Sequence, residues 1–224
     1  MKLKCLGSGS SGNCYILENR DEALIIEAGI SYKDVKVALG FNVRKIVGVI
    51  ALHCHLDHAG YLKDYDDTGI LIIKPYEEYV SNIQLGGFNI QFFDLVHDVP
   101  CYGALIKHED MGRLLYASDT SYVKYRFKGL NHILIEANYD KRMLSERGLE
   151  TAQRNHVLTG HMELQTALEF LRVNKSFELQ NVILCHLSEY NADPIKFFGE
   201  VRKVVDCPAT VARKGLELDI SLPF

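Results

Sequence analysis

The chain has 224 residues, of which 47% are hydrophobic, and its 25 Lys and Arg stand against 29 Asp and Glu for a formal charge of -4. That length predicts one domain spanning residues 1–224 with a full core, and the composition excludes disorder, collagen and disulfide scaffolds. The mildly acidic balance advertises neither nucleic acid nor an anionic membrane. No apolar run approaches the roughly 18 residues of a membrane span, and the opening MKLKCLGSGSSGN has no charged-then-apolar leader. Cys5, Cys14, Cys54, Cys101, Cys185 and Cys207 form no CxxC pair. A cytoplasmic protein with reduced thiols and no membrane partner is the expectation.

Strand-like apolar runs dominate the first half: Cys14 to Leu17, Ala23 to Ile26, Ile46 to Leu52, Ile70 to Ile73, Phe88 to Phe93 and Gly103 to Ile106. Ser31 to Gly40 reads as a short helix, with Ser31 as N-cap and Gly40 placed to end it. In the second half, strands at Leu114 to Ala117, Ile133 to Ala137 and Val182 to Cys185 alternate with helical patterns at Asp140 to Arg147, Met162 to Val173 and Pro194 to Val205. Leu164, Ala167, Leu168 and Leu171 form a helical stripe that should face the core. No linker, charge block or repeat divides the chain. Sheets inside and helices outside are expected.

Three of the nine histidines fall in Leu52-His53-Cys54-His55-Leu56-Asp57-His58, an H-x-H-x-D-H pattern that follows the apolar run Ile46 to Ala51. A buried strand is expected to end there and hold these side chains rigidly. Alternation along an extended segment points His53, His55 and Asp57 to one side, and a turn into a helix brings His58 round beside Asp57. Imidazole with carboxylate suits zinc, manganese or iron better than calcium or magnesium. One segment cannot complete two coordination shells. Metal-capable residues recur at three later strand ends: His97 in Asp94-Leu95-Val96-His97, Asp119 in Tyr116-Ala117-Ser118-Asp119, and His186 in Ile183-Leu184-Cys185-His186.

In this order the residues resemble the metallo-β-lactamase superfamily, whose members carry an H-x-H-x-D-H segment, a third His, a bridging Asp and a last His. The resemblance runs from His53 to His186 and implies an α+β fold, a four-layer αββα sandwich with the site at one edge. It implies one metal held by His53, His55 and His97, a second by Asp57, His58 and His186, and Asp119 between them. The cofactors would be two divalent transition-metal ions, Zn or Mn, with Fe also accepted. More narrowly, Gly7-Ser8-Gly9-Ser10-Ser11-Gly12-Asn13, Glu136-Ala137-Asn138-Tyr139-Asp140 and His186-Leu187-Ser188 are similar to the YycJ/WalJ type of single-domain hydrolases. That similarity implies exonuclease action on a phosphodiester substrate, DNA. Two divalent ions would dominate the local field, so a charge of -4 does not forbid a phosphate partner.

The chemistry so implied is hydrolysis by water activated between two ions, with Asp57 catalytic as well as ligating. The leaving alkoxide needs a proton, and His161, expected at the start of the Met162 helix, is the candidate donor or substrate contact. Ser10, Ser11 and Asn13 in the Gly/Ser loop, with Ser188 and Asn191 beyond His186, are candidate substrate contacts. His108, His132 and His156 read as packing or surface residues, and Cys54 and Cys185 as buried apolar side chains.

Only 66 residues separate Asp119 from His186, too few for the inserted cap of RNase J, and no long RNase Z arm is evident. A β-lactamase would be exported, and many carry cysteine where Asp119 stands. The 38 residues after His186 are expected to finish the core with a helix and two short strands, whereas a glyoxalase II-like thioesterase would add a helical region. A small-molecule cyclic phosphodiesterase, that thioesterase and a non-catalytic binding protein retaining the fold are the alternatives. Oligomeric state is not legible in these residues.

Overall fold

Strands such as Ala-Leu-Ile-Ile and Val-Ile-Leu-Cys are apolar on both faces, which suits sheet buried on both sides. In the computed structural model, which describes residues 1–223, they assemble into two sheets. The first contains β1 (Lys2–Gly7), β2 (Cys14–Glu18), β3 (Ala23–Ile26), β4 (Ile46–Ile50), β5 (Ile72–Ile73) and, paired to β1, β13 (Leu216–Asp219). In the second, β6 (Asn82–Leu85), β7 (Phe88–Asp94), β8 (Tyr102–His108), β9 (Gly112–Ala117), β10 (His132–Glu136), β11 (Asn181–Cys185) and β12 (Ala209–Val211) lie side by side in chain order.

Alternation along the strands divides the apolar residues among three cores. Leu24, Ile50, Phe88, Ile106, Leu134 and Ile183 meet between the sheets. Ile16, Ile25 and Val49 face outward from the first sheet onto Val35 and Leu39 of the α1 region (Tyr32–Ala38). Ile133 and Ile135 face outward from the second sheet onto α5 (Leu164–Asn174) and α6 (Pro194–Arg202), whose Leu168, Leu171, Phe197 and Val201 are buried. Helix, sheet, sheet and helix stack in that order, the expected αββα sandwich. No helix among the described residues is long and apolar enough to cross a membrane.

The pairing also decides where the chemistry sits. β3, β4 and β5 run parallel, as do β9, β10, β11 and β12. The segments leaving the carboxyl ends of β3, β4, β9, β10 and β11 converge at one edge of the sandwich, where open sheets place their ligands.

Several expectations meet the structure closely. Ser31 caps α1 by accepting from the Asp34 amide at 3.3 Å, and Gly40 follows the helix at a φ of 57°. The Leu164 to Leu171 stripe is buried, and α6, β12 and β13 are the helix and two strands expected after His186. β1 and β6 were not expected, because each carries a polar residue at every second or third position and shows no apolar run. Nor was α4 (Thr151–Gly160), which follows α3 (Lys141–Glu146): only Gly160 of its ten residues is buried, so it has no apolar stripe to read. β4 ends at Ile50 rather than Leu52, and residues 51–55 lead irregularly into the one-turn helix α2 (Leu56–Ala59). Cys54, expected to be buried, is therefore exposed, whereas Cys185 is buried within β11; all six cysteines are free thiols.

His132 opens β10 fully buried, with Nε2 donating to the Met111 carbonyl at 3.0 Å and Nδ1 accepting from Asn181 at 3.2 Å. Burial holds its pKa down at about 4, since both nitrogens are satisfied by the neutral ring. The unfolded chain then binds a proton that the folded chain refuses, so stability falls as the pH drops below about 6.5 toward 4. Between pH 8 and pH 5 this one residue should cost about 2 kcal/mol. Urea titrations of wild type and His132→Gln should show a pH dependence smaller by that amount in the variant; an unchanged slope would remove His132 as the cause.

Candidate metal centre and active site

A lattice of backbone bonds fixes the H-x-H-x-D-H segment before any side chain is considered. The Asp57 carbonyl accepts from the Asn13 amide at 2.7 Å, the His58 carbonyl from Ala28 at 2.6 Å, and the Asn13 carbonyl from Gly29 at 2.9 Å. The Gly/Ser loop, the end of β3 and α2 thus interlock. Gly29 permits the approach: a Cβ there would overlap the Asp57 carbonyl and stand 2.6 Å from the Asn13 nitrogen. The strand stops at Ile50 and α2 begins at Leu56, so Asp57 does not continue the side of His53 and His55, as alternation suggested. It faces His58 and His186 instead.

Four overlapping groups of metal-capable side chains result among the described residues: the two expected sets, Glu27 with His53 and His58, and Asp119 with Glu136, His161 and His186. Ligand atoms of His53, His55 and His97 lie within 4.8 Å of one another, and their rings stand nearly edge-on at 5.0 to 5.3 Å between centroids. His97 Nδ1 donates to the Gly160 carbonyl at 2.9 Å, which leaves Nε2 turned to its neighbours with its lone pair free. Asp57, His58 and His186 form the second cluster, in which Asp57 Oδ2 is 3.5 Å from His58 Nε2 and 3.4 Å from His186 Nε2. Asp119 reaches into this group with Oδ2 2.7 Å from His58 Nε2, and Oδ1 3.7 Å from His186 Nε2 and 3.4 Å from His161 Nδ1.

Two buried carboxylates absent from the expected site support these candidate ligands. Glu136, the last residue of β10, accepts from the Thr120 amide at 3.0 Å and lies 2.8 Å from His161 Nδ1 and 3.2 Å from His186 Nδ1. Glu27, just beyond β3, accepts from the Leu52 amide at 3.2 Å and the Tyr116 hydroxyl at 3.3 Å, with His58 Nδ1 at 3.2 Å. A signal was present for both: each is an acid closing an otherwise apolar buried strand. Glu27, Asp119 and His186 also adopt positive φ, at 66°, 53° and 51°. Strain of this kind concentrates where side chains must be aimed.

Of the expected substrate contacts, Ser10, Ser188, Asn191 and His161 line a cleft of about 320 Å³ over the clusters. Ser11 faces a neighbouring hollow with Leu6 and Phe198. Asn13 is fully buried behind His58, its amide 2.7 Å from His58 Nε2, so it supports a candidate ligand and does not line the cleft. Asn191 Oδ1 accepts from the Arg147 guanidinium at 3.0 Å, and Ser188 Oγ caps the following turn by accepting from the Asn191 amide at 3.2 Å. His161 does not begin a helix. It is the C-cap of α4, three residues before α5, stacked on His186 at 5.3 Å. His156, read as a surface residue, lines the cleft mouth from α4. A larger hollow of about 850 Å³ at Met1, Glu18 and Asp219 lies at the other end of β1 and holds none of these ligands.

Comparison with known proteins agrees with this fold. Residues 7–100 match the model of the metallo-beta-lactamase superfamily. The exodeoxyribonuclease YycJ of Bacillus anthracis is 25% identical, over 82% of this chain and 81% of its own. The exodeoxyribonuclease WalJ of Streptococcus pneumoniae is also 25% identical, over 85% of this chain and 82% of its own. The crystal structure of the metallo-beta-lactamase fold protein YhfI from Bacillus subtilis superposes with a TM-score of 0.70 at 17% identity, covering 97% and 98% of the two chains. These likenesses support a protein of the metallo-β-lactamase superfamily that is related to YycJ and WalJ.

Members of this superfamily typically bind divalent metal ions, and the residues present fit such ions. His53 Nε2 is buried with no hydrogen-bond partner, an orphan that costs free energy unless something positive meets it. Burial, aided by His58 and His97, pushes the His53 pKa down to about 2, so the ring offers a lone pair at any ordinary pH. In the second cluster the balance reverses. Burial disfavours charge on His186, but Asp119, Asp57 and Glu136 outweigh it and raise its pKa to about 10. His58 is raised in the same way, with Asp119 and Glu27 overcoming burial. Asp57, Asp119, Glu27 and Glu136 together demand positive charge, and divalent cations meet the same demand.

Proposed function

We propose that this protein is a two-metal phosphodiesterase acting on a nucleic acid strand, as an exonuclease. His53, His55 and His97 would hold one ion and Asp57, His58 and His186 the other, with Asp119 between them. Bound there, such ions supply Lewis acidity that brings the pKa of water toward neutrality and offsets the charge of a phosphoryl group. Asp57 and Asp119 contribute the carboxylate charge of the site, and Asn13, Glu27 and Glu136 keep the imidazoles aimed.

The observation that carries the reading is the placement of His161 on the cleft wall, against Glu136 and Asp119. Burial opposes a charge on this ring, but Glu136 at 2.8 Å and Asp119 at 3.4 Å prevail and hold its pKa above the ordinary value. That shift favours the protonated imidazole, and the ring stands on the wall of the cleft. A thiolate leaving group, with a pKa near 8.5, departs without a proton, whereas an alkoxide needs one. A fixed acid beside the two clusters therefore favours a phosphodiester over the thioester alternative. The names of the relatives YycJ and WalJ, both exodeoxyribonucleases, point the same way.

Metal analysis together with a substrate panel tests this. Reconstituted protein should carry two equivalents of Zn or Mn, and it should hydrolyse one or more of single-stranded DNA, double-stranded DNA and RNA. Less than one equivalent of metal would overturn the two-ion arrangement. Turnover of a thioester or of cyclic nucleotides alone would overturn the substrate.

A further inference from the structure

The cleft, at about 320 Å³, has room for roughly one nucleotide, so the rest of a polymer must lie on the surface outside it. We infer that it lies on the segment Ser121 to Lys128 and the hollow beside it, which form a track for single-stranded nucleic acid; this rests on the phosphodiester reading above and extends it.

The segment Ser-Tyr-Val-Lys-Tyr-Arg-Phe-Lys begins two residues after Asp119. It belongs to no helix or strand, and its burial alternates. Val123, Tyr125 and Phe127 are half-buried, while Tyr122, Lys124, Arg126 and Lys128 are exposed. Phe127 packs on Phe93 at 5.0 Å and Tyr125 on Phe93 at 5.6 Å, so the inner rings anchor the segment to the second sheet. The backbone is tied at both ends. The Ser121 amide donates to the Val96 carbonyl at 3.2 Å, beside His97, and the Phe127 amide donates to Asn174 at 2.7 Å. The Arg113 guanidinium donates to the Lys128 carbonyl.

Alternation in an extended chain places every second side chain on one side, about 7 Å apart. Tyr122, Lys124, Arg126 and Lys128 thus form one aromatic residue and three cations in a row leading away from Asp119. Lys124 is paired with Asp94, but Arg126 and Lys128 make no ion pair among the described residues. Unpaired cations side by side are notable on a chain whose formal charge is -4. Beside them opens a hollow of about 770 Å³ lined by Tyr79, Phe93, Tyr125, Arg113, Arg126 and Lys128. Tyr79 is 87% exposed there, free to stack. A cationic row for phosphates with aromatic rings for bases is how unpaired strands are held without regard to sequence.

The test is fluorescence anisotropy of a labelled 20-nucleotide DNA strand, and of the RNA of the same sequence, with the full chain at several salt concentrations. Arg126→Glu/Lys128→Glu should weaken binding of the preferred strand at least tenfold. It should also lower the slope of log K against log salt by about 1.4, the value for two phosphate contacts on a single strand. Tyr79→Ala should weaken binding about fivefold or more with the salt slope unchanged. Lys33→Glu/Arg44→Glu, the same charge change on the outer side of the first sheet, should leave binding within twofold. Equal weakening by the two charge-reversed pairs, or no binding by the wild type, would overturn the track. Should Arg126→Glu/Lys128→Glu fail to fold, acylation of Lys128 in the wild type decides: protection by bound strand supports the track, and unaltered labelling overturns it. Hydrolysis of a small activated diester by the same wild-type preparation reports on the phosphodiester reading separately, since it needs no strand.

Discussion

Asp119→Ala is expected to lower turnover of an activated phosphodiester by at least about a thousandfold, equivalent to about 4 kcal/mol of transition-state stabilisation, and to lose bound metal. Asp119 is 2% exposed, and its two oxygens are shared among His58, His161 and His186 at 2.7, 3.4 and 3.7 Å. Burial works against its ionisation, yet His186 and His58 hold its pKa well below the usual carboxylate range. Removing that charge takes away the carboxylate that faces His58 and His186, and with it part of the negative charge that would hold a cation there. Asp119→Asn keeps the volume and should fold as wild type while showing the same loss of metal, which separates electrostatics from packing. Turnover within tenfold of wild type in Asp119→Ala, with two metal equivalents retained, would remove Asp119 from the centre.

His161→Ala should behave differently: metal content stays, and turnover falls by about 10² to 10⁴ on substrates whose leaving group is an alkoxide. On a nitrophenyl diester the loss should be much smaller, because a nitrophenolate leaves without a proton. The pH profile carries the sign. His161 serves as an acid while protonated, and its pKa is raised, so the wild-type rate on the alkoxide substrate should fall only as the pH climbs through that raised value. The variant should lack that limb. Glu136→Gln should shift the limb to lower pH, since Glu136 at 2.8 Å is the nearer of the two groups that hold the proton on His161. Loss of metal from His161→Ala would instead make it a ligand.

The contrast between these residues also marks how far the sequence could be read. His53, His55, Asp57 and His58 are legible because they are neighbours in one motif, and His97, Asp119 and His186 because each ends a recognisable apolar strand. Helix α5 and the buried β3, β10 and β11 are legible for the same reason: burial writes itself into periodicity when one element contains the whole pattern. Helix α4 is the counterexample. Its side chains pack on little, so nothing in Thr151 to Gly160 announced a helix, and His161 was set at the start of the next helix when it closes this one.

What tertiary structure alone decided are the partners brought together from far along the chain. Glu136 meets His186 across 50 residues, Glu27 meets Tyr116 across 89, and the Ser8 hydroxyl accepts the His186 amide across 178. The same holds for the alternating Tyr122 to Lys128 segment, whose letters are plain but whose exposed side became a surface only when its other side found Phe93. Composition, motif and order pointed to the candidate ligands and the layers, because those depend on what each strand buries. The packing of one sheet's ends against the other's determined which acid aims which histidine, because a hydrogen bond between distant segments leaves no period in either.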